Sequence, residues 1–61
     1  MKPTLEVDPS AGSAYFRVSK AKVARTQEVT ARKSRVVCTQ DFDSKGELVG
    51  IEVVGIKIVI Q

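Results

Sequence analysis

Asp41, Asp43, Gly46 and Glu52 stand at positions 1, 3, 6 and 12 of the stretch DFDSKGELVGIE. A helix-flanked calcium loop spaces its carboxylate ligands in this way and places a glycine at its sharp turn. Two features oppose that chemistry. Position 5, which should offer an oxygen, is Lys45, an ammonium beside the ion. Both flanks alternate apolar and polar residues with a period of two, the mark of strands rather than helices. The same residues spell a β-hairpin. Asp43-Ser44-Lys45-Gly46 is turn chemistry, with glycine free to take a positive φ. Phe42 then shares a face with Val49, Ile51 and Val53, and Asp41 and Glu52 belong to the other face, in water. The expectation is a hairpin and no bound metal.

Little else in the chain is suited to catalysis. There is no histidine, so Cys38, the single cysteine, has no base to activate it and reads as a small apolar strand residue. No phosphate-cradling glycine loop and no G-x-S-x-G occurs. Asp41, Asp43 and Glu52 could act as general acids or bases only inside a pocket, and one small sheet has little room for a pocket. No enzyme activity and no cofactor are expected.

The elements that hold these residues are read from β-branched runs and turn residues. Leu5 and Val7 share one face of a first strand, and Asp8-Pro9-Ser10-Ala11-Gly12 is a turn. Ala14, Phe16 and Val18 share a face of a second strand, with Tyr15 and Arg17 opposite. Residues 21–33 can be drawn as a helix, but their apolar residues make no wide stripe. The β-branched Thr26, Val29 and Thr30 favour a strand over 23–29. Val36–Phe42 and Leu48–Val54 are the fourth and fifth strands. Ile56, Ile58 and Ile60 alternate in a tail read as a sixth strand or as an extension across a bulge at Gly55. The predicted fold is all-β: one domain over residues 1–61, a single antiparallel meander sheet of five to six strands, with 55–61 an apolar tail or edge strand.

Several of these residues resemble one family of small bacterial proteins, catalogued as domain of unknown function 2283. Its members read roughly D-P-x-x-D-x-x-Y-I-R, then V-x-x-T-x-E, then D-x-D-x-x-G-x-L-V-G-I-E-I-L. Here the matching residues are Asp8-Pro9, Tyr15, Arg17, Lys22-Val23, Glu28-Val29 and the block from Asp41 to Glu52. The likeness spans about residues 4–54. The chain departs from it at Gly12, where an acid is usual, in a more basic Thr30–Arg35 link, and in the apolar Gly55–Gln61 tail. The resemblance implies a small, mostly β domain and transfers no catalytic residue. Members often stand beside small toxin-like proteins, which leaves room for an antitoxin-like or partner-binding role.

Charge and size bear on partners. The net charge is +3 over 61 residues, unevenly spread. Residues 17–35 hold seven bases and one acid, Glu28, and the remainder carries three bases against six acids. A nucleic-acid site would place Arg17, Arg25, Arg32, Lys33 and Arg35 on phosphates and stack a base on Tyr15. The favoured alternative is a solvated strand face and loop that deters edge-to-edge association. Aromatic residues are scarce, and no RNP-like, KH-type or helix-turn-helix pattern occurs. A single sheet this small must have one face covered, and no amphipathic helix is available for it. A homo-oligomer, first a dimer, is therefore expected, with Ile56, Ile58, Val59 and Ile60 in its interface. A small protein partner is a further expectation. The sequence has no apolar run of membrane-spanning length and no signal-peptide pattern, and its lone cysteine fits a reducing compartment. A soluble cytoplasmic protein, away from the membrane, is expected.

Overall fold

A computed structural model describes residues 2–30 and 32–59 of the chain. Five strands form one antiparallel sheet: β1 (Thr4–Asp8), β2 (Ser13–Arg17), β3 (Arg25–Glu28), β4 (Val37–Phe42) and β5 (Leu48–Val54). No helix among the described residues is long and apolar enough to cross a membrane. The disputed segment is a strand, β3, and Val29 extends its pairing by donating its N–H to the Cys38 carbonyl at 2.8 Å.

Spatial order differs from chain order. The sheet runs β1-β2-β5-β4-β3, so β5 lies between β2 and β4. Only β3, β4 and β5 form a meander, and β1–β2 is a separate hairpin docked on its open side. The connection over residues 18–24 must pass the ends of β5 and β4, a distance of about 14 Å at strand spacing. Seven residues reach that far. Val18 and Ser19 begin the crossing by donating to the Val49 carbonyl at 2.8 and 3.2 Å, and Ala24 ends it on the Phe42 carbonyl at 2.8 Å. Val49, at the start of this crossing, is the one hydrophobic side chain among the described residues that is fully buried.

The two hairpin turns are set by their aspartates. Asp43 Oδ1 accepts from the Lys45 and Glu47 N–H groups, both at 2.9 Å. The Asp43 carbonyl accepts from Gly46 N at 3.0 Å, and Gly46 holds φ 83, a conformation that penalises any side chain. In the β1–β2 turn, Asp8 Oδ1 accepts from Ser10 Oγ at 2.7 Å and Ala11 N at 3.2 Å. These bonds, the Ser10 hydroxyl foremost, hold the Asp8 carboxyl below its ordinary value of 3.8.

The tail is not a sixth strand among the described residues. β5 already has a partner on each side, so it offers no edge for the chain to fold back on. Gly55, at φ 94, turns the chain away, and the Gly12 carbonyl accepts from Gly55 N and Ile56 N at 2.9 and 3.0 Å. Residues 56–59 take no regular secondary structure. Ile56 and Ile58 are half-buried and Val59 is 68% exposed. Ile60, expected in an interface, lies outside the described residues.

The sheet is a single layer, with extents of 34 × 29 × 13 Å. Its radius of gyration, 12.3 Å, exceeds the roughly 10.5 Å of a compact domain of this length. The accessible surface is 4824 Å². An unfolded chain of 6.6 kDa exposes about 9,600 Å², so folding hides only about half, against about 60% for self-sufficient domains of this size.

Candidate interaction surface

Pairing register assigns each strand residue to a face, because directly opposed residues share a side and neighbours along a strand alternate. One face carries Glu6, Tyr15, Glu52 and Thr39 in one row across β1, β2, β5 and β4. The next row holds Arg17, Gly50, Asp41 and Thr26. Every acid within a strand lies on this polar face. The opposite face carries Leu5, Phe16, Ile51, Gln40 and Gln27 in one row and Val7, Ala14, Val53 and Cys38 in the next, so its apolar part lies over β1, β2 and β5.

The polar face is bound together by one hydrogen-bonded chain. Tyr15 lies across Gly50, and a methyl group added there would strike the Tyr15 hydroxyl and ring. The bare glycine lets the tyrosine of β2 cross the whole of β5. Its hydroxyl donates to Asp41 Oδ2 on β4 at 2.8 Å. Asp41 Oδ1 in turn accepts from Thr26 Oγ1 on β3 at 2.6 Å. A single carboxylate thus ties β2, β4 and β3 together through side chains, with β5 crossed at Gly50. Asp41 is therefore not out in water, as the sequence suggests, but half-buried and engaged on both oxygens.

That geometry also answers the calcium question. Asp41 is engaged by Tyr15 and Thr26, Asp43 by the amides of its own turn, and Glu52 lies beside Tyr15 in the next row. Among the described residues, no three acid, cysteine or histidine side chains converge as a metal site. The block that spells a calcium loop is the β4–β5 hairpin.

The basic residues do not converge on one surface. Arg17 lies on the polar face, 5.1 Å from the Tyr15 ring centre, and Arg25 on the apolar face, 4.5 Å from the Phe42 ring centre. Both are cation–π distances. Arg32, Lys33 and Arg35 are exposed in the β3–β4 connection, where Lys33 takes φ 70. Lys20 and Lys22 are exposed in the 18–24 crossing at the other end of β3. Tyr15, expected as a stacking platform, has Gly50 against its ring and Arg17 beside it.

Two features were missed by reading the sequence. One is the Tyr15–Asp41–Thr26 chain, whose bonds join residues 26 and 15 apart in sequence and form only through strand order. The other is a shallow depression on the polar face that Glu6, Asp8, Ser13, Tyr15 and Glu52 line. Alternation puts these acids on one side of their strands, but only the β1-β2-β5 order brings them together.

The open apolar face is the larger feature. Leu5 is 63% exposed, Val7 44% and Phe16 41%. Ile51, Val53 and Cys38 are half-buried by their neighbours within the sheet, and Cys38 is a free thiol. Among the hydrophobic side chains of the described residues, Val49 alone is fully buried. The sequence identifies which residues are apolar and which face they share, but the described chain covers only Val49 completely and leaves Leu5, Val7 and Phe16 open.

The family described as Protein of unknown function (DUF2283) matches residues 5–57, and the chain belongs to it. No curated protein and no solved structure matches the chain.

Two outcomes are expected for this cluster. Replacing Gly50 by alanine forces the Tyr15 ring off Asp41 and should cost about 1–3 kcal/mol. In a Tyr15→Ala background the same change should be nearly neutral, because no ring is left to displace. Denaturant unfolding of the four proteins measures the coupling, and equal costs in both backgrounds would contradict the crossing. The second outcome concerns alkali. Burial, then the hydrogen bond to Asp41 and its charge, raise the Tyr15 pKa above 10.0. The folded state thus holds the phenol proton more tightly than the unfolded chain. This contribution is complete below pH 10 and is lost as pH rises through the folded value. Stability should fall more steeply above pH 10 in the parent protein than in Tyr15→Phe, and parallel pH profiles would count against the bond.

Proposed function

We propose that this protein is a non-catalytic interaction module that works by docking the apolar face of its sheet on another polypeptide. The supporting observation is the uncovered patch of Leu5, Val7 and Phe16 on a one-layer sheet. Contiguous apolar surface of this kind is uncommon on monomers and marks interaction sites. The polar face supports a scaffold reading: Asp41, Tyr15 and Thr26 bond to one another, which fixes strand positions and leaves the opposite face to meet a partner. A small protein partner, in the manner of an antitoxin, is the form most in keeping with so small a chain. The single free cysteine suits a bacterial cytoplasm. Nucleic-acid binding is the weaker reading, because Arg17 and Arg25 lie on opposite faces and the remaining bases of the basic segment lie in two separate connections.

Native mass spectrometry of the protein isolated gently from its own cells tests this reading. The expected spectrum contains the chain bound to polypeptide, either a copy of itself or another protein. A folded, lone 6.6 kDa species would overturn the proposal. A species carrying nucleic acid would replace it with the basic-residue reading, and its affinity should then fall steeply with salt.

A further inference from the structure

The interaction reading leaves the occupant of the apolar face unnamed, and three observations identify it. The first is area. A compact chain of 6.6 kDa exposes about 3,900 Å², whereas this one exposes 4824 Å². The excess is about 950 Å², close to the roughly 800 Å² that each partner contributes to a standard interface. Hiding that much would bring the buried fraction to about 58%, the level of a self-sufficient domain of this size.

The second observation is charge. All five strand acids, Glu6, Asp8, Glu28, Asp41 and Glu52, lie on the polar face by register. The apolar face has one charged strand residue, Arg25, at a corner and over the Phe42 ring. Such a surface meets its own copy without like-charge repulsion. Interfaces with a different protein keep more polar character, whereas interfaces between identical chains are the more apolar class. The third is shape. One layer 13 Å thick with extents of 34 × 29 Å is half of a β-sandwich, whose sheets pack about 10 Å apart over interdigitated side chains.

We propose that the apolar face is covered by a second copy of this chain, packed face to face about a two-fold axis to give a two-layer sandwich of ten strands. The contact is isologous: each copy contributes the same patch, Leu5, Val7, Phe16, Ile51 and Val53. The polar faces, with their Tyr15–Asp41 bonds and acidic depressions, form the two outer surfaces. This proposal rests on the interaction reading and narrows it to one partner.

The test is sedimentation equilibrium of the purified full chain, with three variants. Leu5→Ala trims a side chain that is 63% exposed in a single copy. If the face were open, the change would leave mass and folding untouched. With a second copy over it, two leucines are lost per dimer, and the dissociation constant should rise at least about tenfold. Phe16→Glu should abolish the dimer, and Glu6→Gln on the polar face should leave it intact. A parent chain that is monomeric and cooperatively folded would overturn both this proposal and the interaction reading. A chain that is unfolded alone and folds only with a different polypeptide would overturn the second copy and keep the interaction reading. A dimer with an unchanged dissociation constant in both Leu5→Ala and Phe16→Glu would place the contact on an edge or the tail and overturn the sandwich.

Discussion

A β-sheet has two faces, and the described residues, spent on five strands and their connections, leave most of both uncovered. Every notable property of this chain can be traced to that constraint. One face is made polar enough for water, and the other keeps the apolar side chains whose burial drives folding. Hydrogen bonding between strands alone does not stabilise such a layer, because its net contribution is small for each bond. On that face Leu5, Val7 and Phe16 stand open to water in the single sheet.

The same shortage of material explains the polar face. A larger domain positions its strands by packing them against a second layer. In this chain the positioning is done within the layer, by a tyrosine crossing a glycine to reach an aspartate that also holds a threonine. Gly50 is small so that Tyr15 can cross, and Asp41 accepts two hydroxyl bonds, leaving β2, β5, β4 and β3 in fixed relation. Of these residues, the sequence offers only Asp41 as a candidate ligand or acid, within a block that reads as a hairpin. In the fold they act as a clamp across the sheet.

Alternation and turn residues located all five strands, and Asp43 and Gly46 identified the β4–β5 hairpin in place of a calcium loop. Face assignments for Phe16, Ile51 and Val53 followed from a period of two. Strand order was not legible, because a seven-residue link after Arg17 serves equally for an adjacent return and for a crossing over two strand ends. Without that order Asp41 reads as solvated, and its partners Tyr15 and Thr26 read as unrelated. Of the two expectations for 55–61, an apolar tail or an edge strand, residues 56–59 take the first. Ile56 and Ile58 alternate like a strand, but β5 is central, with no free edge beside it.

The central claim is that a second copy completes this fold, and the concentration dependence of thermal unfolding tests it most directly. Folding coupled to dimerisation obeys mass action, so the midpoint must move with protein concentration. For a dimer of this size, a hundredfold increase in concentration should raise the midpoint by about 10 °C. A midpoint that stays fixed across that range would mean that each sheet is stable on its own, and the second copy would not be what completes the fold.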